Sequence, residues 1–307
     1  MSVLKEPILK LSRSNGMRSF VSRNRLGRTM ARRFVAGETL DDAIVATQEL
    51  NKSGIKVSLD HLGENTSNPA EAEHATQQYL SLLDRIAQEK LDANISIKLT
   101  AMGLDIDPKL CRENVCKVLE RAKSYRDTFV RLDMEGSDYT QRTLEMFQSL
   151  WDEGFRNIGV VLQSYLYRTW DDVEKMIGQE TRVRLCKGAY LEPDTVAFAD
   201  KEKVDASYIK CMEALLDNGN YPGIATHDQQ IIDHALKFVA DHNITPERFE
   251  FQMLYGVRRD LQRKLVEQGF NVRAYVPYGA EWYPYLMRRM AERPANLIFI
   301  MSQFWKG

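Results

Sequence analysis

From residue 55 onward, short apolar or β-branched runs alternate with longer stretches in which apolar residues recur at helical spacing. Eight such runs stand out: 55–59 (IKVSL), 94–99 (NISIKL), 129–132 (FVRL), 158–162 (IGVVL), 183–186 (VRLC), 223–225 (GIA), 249–253 (FEFQM) and 271–276 (NVRAYV). Runs this short read as strands of a parallel sheet, and the roughly 20 to 40 residues between their starts leave room for one helix and two loops. The spacing predicts helices over 69–89, 108–124, 140–153, 170–177, 204–218, 229–242, 260–268 and 283–304. Asp107-Pro108 is a start signal for one of these and Asn218-Gly219 a stop signal for another. Eight βα units is the number that closes a TIM barrel, so the expected class is α/β, a (βα)8 barrel over 55–307. Ahead of it, 39–51 has helical periodicity and stops at Ser53-Gly54, which gives an N-terminal helical arm or subdomain over 1–54.

Composition narrows the classes. With 44% hydrophobic and 28% charged residues among 307, the chain is an ordinary globular protein, not a disordered, collagen-like or all-apolar one. A formal charge of −1 supplies no general attraction to nucleic acid, and none is expected as a partner. Cys111, Cys116, Cys186 and Cys211 form no C-x-x-C pair, so reduced thiols in a cytoplasmic compartment are expected. Lys5 and Glu6 precede any apolar stretch, which argues against export, and no window reaches the apolar length of a membrane span. One asymmetry remains: no acid lies between Glu6 and Glu38, while Lys10, Arg13, Arg18, Arg23, Arg25, Arg28, Arg32 and Arg33 are all basic. Such an arm suits either a solvated anion-pairing surface or a segment resting on a membrane.

The chain lacks the common nucleotide and zinc signatures. No G-x-G opens a Rossmann fingerprint, Val160 stands where a phosphate-loop lysine would be, and H-E-x-x-H is absent; no metal is expected. A barrel builds its site at the C-terminal ends of its strands, so the residues there carry the chemistry. They are Asp60 and His61, Lys98, Asp133 and Glu135, Gln163, Arg184 and Lys187, Thr226 and His227, Gln252 and Tyr255, and Tyr275 and Tyr278. Lys98, Arg184 and Lys187 make a positive centre that favours an anionic ligand, and a charge inside an apolar run needs a partner, for which Asp133 and Glu135 are candidates. In the last helix Tyr285, Arg288, Arg289 and Glu292 fall at i, i+3, i+4 and i+7 on one face. Two guanidinium groups beside a ring suit bidentate capture of a carboxylate, and an Arg288–Glu292 surface pair is the plain reading of the same spacing.

Together, LDHLGE (59–64), KLT (98–100), LDMEG (132–136), RLCKGAYLEP (184–193), ATHD (225–228), FEFQMLYG (249–256), RAYVPYG (273–279) and WYPYLMRRMAERPAN (282–296) resemble the proline dehydrogenase family, in its short monofunctional bacterial form. The resemblance implies a distorted barrel holding FAD, with the last helix over the barrel mouth, and oxidation of L-proline to Δ1-pyrroline-5-carboxylate by hydride transfer to flavin. It implies that Arg288 and Arg289, helped by Lys98, bind the proline carboxylate, and that Tyr275, Tyr278, Tyr285 and Leu254 wall the ring. Arg184 would lie at the flavin ring and Gln163 at its pyrimidine edge, with Lys187, Thr226 and His227 along the ribityl, pyrophosphate and adenosine portion. Gly188, Ala189, Gln252 and Glu292 fall with the cofactor, while Asp133 and Tyr190 fall near the substrate and its gate. Arg184, Asp133 and Tyr275 are thus the expected catalytic set. A quinone or similar membrane electron carrier is implied as acceptor, and with it a cytoplasmic enzyme in peripheral contact with the inner membrane. The rival on the same barrel is a Schiff-base aldolase or lyase with Lys187 or Lys98 as nucleophile.

Overall fold

The computed structural model describes residues 31–125 and 128–292, with side chains as far as Arg289. Helix α1 (Leu40–Lys52) opens it, on a capping box in which Thr39 accepts from the Asp42 N–H and the Asp42 side chain returns to the Thr39 backbone. Strand β1 (Lys56–His61) follows, then α2 (Pro69–Gln88), β2 (Ala93–Ile97), α3 (Pro108–Ser124), β3 (Val130–Leu132), α4 (Ser137–Asp152) and β4 (Ile158–Gln163). The second half repeats the pattern with α5 (Thr169–Gly178), β5 (Val183–Cys186), α6 (Lys201–Asn218), β6 (Gly223–Ala225), α7 (Gln229–Asp241), β7 (Glu250–Leu254), α8 (Arg259–Glu267), β8 (Val272–Tyr278) and α9 (Trp282–Glu292).

All eight strands are parallel, each pairs with the next, and β8 closes on β1 through six register pairs, so the sheet is a closed barrel, as the alternation predicts. Sequence and structure agree on every strand to within a residue or two, and the differences are informative. Strand β2 stops at Ile97 because the Lys98 carbonyl accepts from Ala101 and Met102 N–H groups, turning the chain there; Lys98 therefore sits at the strand's mouth end. Helices α4 and α6 start three residues ahead of expectation. Their first turns are polar and carry no apolar periodicity, and α6 is started by Asp200 accepting from the Glu202 N–H.

Two helices break the plain βα ring. Helix α1 lies against β8 and β1, in the position a flanking eighth helix would take. Helix α9 packs instead on a separate apolar cluster with Ala31, Val35 and Leu62, to which Trp282, Tyr283, Tyr285, Leu286 and Met287 contribute and on which Phe34 and Tyr275 rest. Because Tyr275 is a barrel-strand residue and Leu62 follows β1, this places α9 across the mouth. The turn into α9 uses Gly279 at φ +126°, a conformation in which a side chain would be strained, and its N–H is tied to the Gly37 carbonyl. The remainder of the expected last helix, to 304, lies outside the described residues.

Candidate active site

Strand alternation puts every second residue of the barrel inside, and in this chain an unusual number of those are polar. Ser58 and Asp60 come from β1, Ser96 and then Lys98 from β2 and its exit, Arg131 and Asp133 from β3, Arg184 from β5, Glu250 and Gln252 from β7, and Arg273 and Tyr275 from β8; apart from Tyr275 all are buried. Burial without partners would cost several kcal/mol apiece, so the pairing has to be complete, and it is dense.

Arg184 is the hub. It donates from Nη1 to Asp133 (2.8 Å), from Nη2 to the hydroxyls of Ser58 (3.2 Å) and Ser96 (3.1 Å), and from Nε to Gln252 (2.5 Å). Its guanidinium stands 5.2 Å from the centre of the Tyr275 ring. The Tyr275 hydroxyl sits between two carboxylates, 2.6 Å from Asp60 and 2.7 Å from Asp133. Lys98 donates to the same Asp60 oxygen at 2.8 Å. Burial pulls Lys98 towards losing its proton, but the carboxylates of Asp60, Asp133 and Glu64 outweigh it and raise its pKa. Burial, with Asp133 alongside, raises Asp60 as well, against the pull of Lys98.

Above it, α9 supplies Arg288, whose Nη1 donates to Glu64 at 2.7 Å with a second contact at 3.3 Å. This partner is an acid of the β1 loop 224 positions away in sequence. Tyr190 joins this group, held protonated by burial and by the field of Glu64. Arg289 lies over Tyr285, 5.3 Å from the ring centre. Tyr278 packs edge-on to His61 at 5.2 Å, and burial drops His61 to a pKa of about 4, so it is neutral at physiological pH. Leu254 closes β7 beside Tyr275, its N–H donating to His227 Nε2 at 2.9 Å. The structure brings together Lys98, Asp133, Tyr275, Tyr190, Tyr285, Arg288 and Arg289 at one mouth.

The residues expected on the cofactor side fall on the neighbouring strand ends β4 to β7. Gln163 ends β4 with its side-chain carbonyl oxygen buried and without a hydrogen bond among the described residues, an acceptor for a donor on a ligand. After β5, Gly188 has φ +115°, and a Cβ there would come within 2.4 Å of the Tyr165 ring, so only a bare backbone passes at this point. Lys187 is engaged by Asp228 at 2.8 Å and Asp205 at 2.5 Å. Thr226 accepts from the Asp228 N–H at 3.1 Å. Ala189 follows Gly188 in the same loop, and the role read for Glu292 falls on a side chain outside those described. Glu64, Ser58 and Ser96 are residues of this cluster to which the sequence assigned no part, and Asp60 was read only as a polar strand end. The two serines were visible as polar, inward positions of apolar runs, but their partner lies on a strand more than eighty residues further on.

A closed α/β barrel whose C-terminal mouth gathers buried cations beneath a tyrosine- and arginine-bearing helix has the layout of a barrel enzyme. The comparisons carry this further. The family model described as proline dehydrogenase matches residues 43–302. Proline dehydrogenase 1 of Bacillus subtilis subsp. natto is 39% identical over 306 residues, 99% of this chain and 100% of that protein. Proline dehydrogenase of Deinococcus radiodurans is 42% identical over 282 residues, 91% of each chain. Among solved structures, proline utilization A of Bdellovibrio bacteriovorus, inactivated by N-propargylglycine, superposes with a TM-score of 0.81 at 27% identity, over 91% of this chain and 34% of that one. This chain belongs to the proline dehydrogenase family and is an oxidoreductase of that family.

Proposed function

We propose that the protein oxidises L-proline to Δ1-pyrroline-5-carboxylate with a bound FAD and passes the electrons to a quinone-type acceptor. The observation that carries the reading is the convergence of Lys98, Arg184, Arg288 and Arg289 on a mouth that also holds Tyr275, Tyr278 and Tyr285. Flavin supplies, when bound, the acceptor for a hydride that no side chain can be. The residues fit that group: Arg184 would offer a fixed cation to the ring, the unsatisfied Gln163 oxygen would accept from its pyrimidine edge, and the bare Gly188 backbone would let it lie close, with Ala189, Lys187, Thr226 and His227 expected along the tail and Glu292 read with them from the sequence alone.

Substrate binding is a carboxylate exchange. Arg288 gives up Glu64 for the proline carboxylate, so the guanidinium stays paired throughout, and Arg289 and Lys98 add charge on the same side. The ring then packs against Tyr275, Tyr278, Tyr285 and Leu254, and this fixed orientation is the protein's main contribution to rate. Asp133 and Tyr190 shape the same wall. The surrounding cations lower the pKa of the proline amine, in the direction that hydride loss requires. Neither lysine suits imine chemistry: Lys98 is held protonated against Asp60, and Lys187 is clasped by two aspartates.

No helix among the described residues is long and apolar enough to cross a membrane. A quinone-type acceptor places the enzyme, as a cytoplasmic protein, in peripheral contact with the inner membrane through the basic arm. Of that arm only Arg32 and Arg33 are among the described residues. A visible spectrum of the purified protein, followed by anaerobic L-proline, tests the reading. A yellow protein bleached by proline supports it, and a protein that stays colourless after reconstitution with FAD refutes it. Removal of residues 1–30 with unchanged vesicle binding would refute the membrane part alone.

A further inference from the structure

Arg184 owes its position to a strand that is not its neighbour. In register it pairs with Gly223 of β6, and Gly223 pairs with Glu250 of β7, yet the hydrogen bond from Arg184 Nε reaches Gln252 on β7 across β6. This crossing depends on the missing side chain at Gly223, where a Cβ would stand 2.3 Å from Gln252 Nε2. The other end of the Gln252 amide donates to Glu250 Oε1 at 2.6 Å. The same oxygen accepts from Arg273 Nε at 2.6 Å, and Arg273 is anchored on the Val57 carbonyl at 2.7 Å.

An amide has two ends of opposite polarity, and its neighbours decide which way it faces. The reverse orientation would set an NH2 group against a guanidinium and a carbonyl against a carboxylate. Glu250 thus dictates that the carbonyl of Gln252 faces Arg184. The spacer is also neutral: Arg184 already meets one carboxylate at Asp133, and a carboxylate at 252 would hold it equally well but add a second, whereas the amide transmits orientation and keeps Glu250 one step removed.

We propose that Gly223, Glu250 and Gln252 form a positioning relay that fixes the Arg184 guanidinium without setting a second carboxylate beside it. The proposal rests on the reading of Arg184 as the flavin-side cation. It is tested with Glu250→Met, which offers no oxygen to the Gln252 amide, with Gly223→Ala, and with the exchange variant Glu250→Gln/Gln252→Glu, in which Arg184 Nε keeps an acceptor at 252 but the carboxylate moves beside it. The first readout is hydrogen exchange at the Arg184 Nε–H in isotope-labelled full-length protein, assigned by its loss in Arg184→Lys. Protection should fall about tenfold or more in Glu250→Met and Gly223→Ala and return in the exchange variant. The second is the midpoint potential of the flavin and its rate of reduction by proline. In the exchange variant the potential should become more negative and the rate drop about tenfold or more, because a neighbouring carboxylate disfavours added electrons.

Wild-type protection in Glu250→Met, or wild-type potential and rate in the exchange variant, overturns the relay. A purely structural role for Glu250 predicts the latter result. Should Glu250→Met fail to fold, the exchange variant decides through its potential. If the wild-type protein takes up no flavin, the proposed function fails, and the exchange measurement still decides the relay.

Discussion

The barrel has two charged layers, and they differ in what holds the charge. In the floor layer, Arg131 donates to the backbone carbonyls of Val160 (3.1 Å) and Arg182 (2.7 Å), and Arg273 to the carbonyl of Val57 and to Glu250. In the mouth layer the partners are side chains: Lys98 with Asp60, Arg184 with Asp133, Arg288 with Glu64. A backbone carbonyl cannot leave without unmaking the sheet, but a side-chain carboxylate can be exchanged for a ligand's. Buried charge is therefore a poor marker of function in itself; the kind of partner separates the scaffold from the site.

The largest effect that would test this contrast is on the floor. Arg273→Met leaves Glu250 buried without its counter-charge and should cost about 3 to 5 kcal/mol of stability in denaturant unfolding. A loss below about 1 kcal/mol would mean that the floor tolerates exchange as the mouth does. Acid should act through the same pair. Burial raises the Glu250 pKa, but Arg273, Gln252 and Arg131 more than offset it and hold the carboxyl at about 2, against 4.5 ordinarily. A depressed carboxyl stabilises the fold above its unfolded pKa, and the contribution is lost as pH falls from about 4.5 to about 2, a change on the order of 3 kcal/mol. Acid titration of Glu250→Gln should lack that limb.

At the mouth, Arg288→Met should raise the proline KM about a hundredfold while flavin content and unfolding midpoint stay near wild type, since Glu64 is part-exposed and can turn to water. Flavin loss with unchanged KM would sink the clamp. The smallest effect is a control outside both layers. Asn68→Ala removes the side chain that accepts from the Glu71 N–H at the start of α2 and should cost about 1 kcal/mol with KM unaltered.

Much of this was legible in the chain. Eight apolar runs marked eight strands because parallel strands are buried on both faces and their hydrophobic signature is local. The inward polar positions 96 and 98, 131 and 133, 250 and 252, 273 and 275 could be read from alternation alone. Their partners could not. Lys98 is joined to Asp60 across 38 positions, Arg184 to Asp133 across 51 and Arg288 to Glu64 across 224, and local spacing offers no sign of these partners. The resemblance of the motifs brought forward the chemistry but left Glu64, Asp60 and Glu250 without parts.

What the linear pattern of apolar and polar residues determined is the set of elements and their order, since helix and strand periods, caps and turn glycines act over a few residues. Barrel closure decided everything that depends on meeting across the ring: which acid faces which base, that α1 rather than α9 flanks β8 and β1, and that a glycine on β6 opens the path from Gln252 to Arg184. A hydrogen bond needs its heavy atoms within about 3 Å and Coulomb energy depends inversely on separation, so both are assigned only when the fold has set those distances.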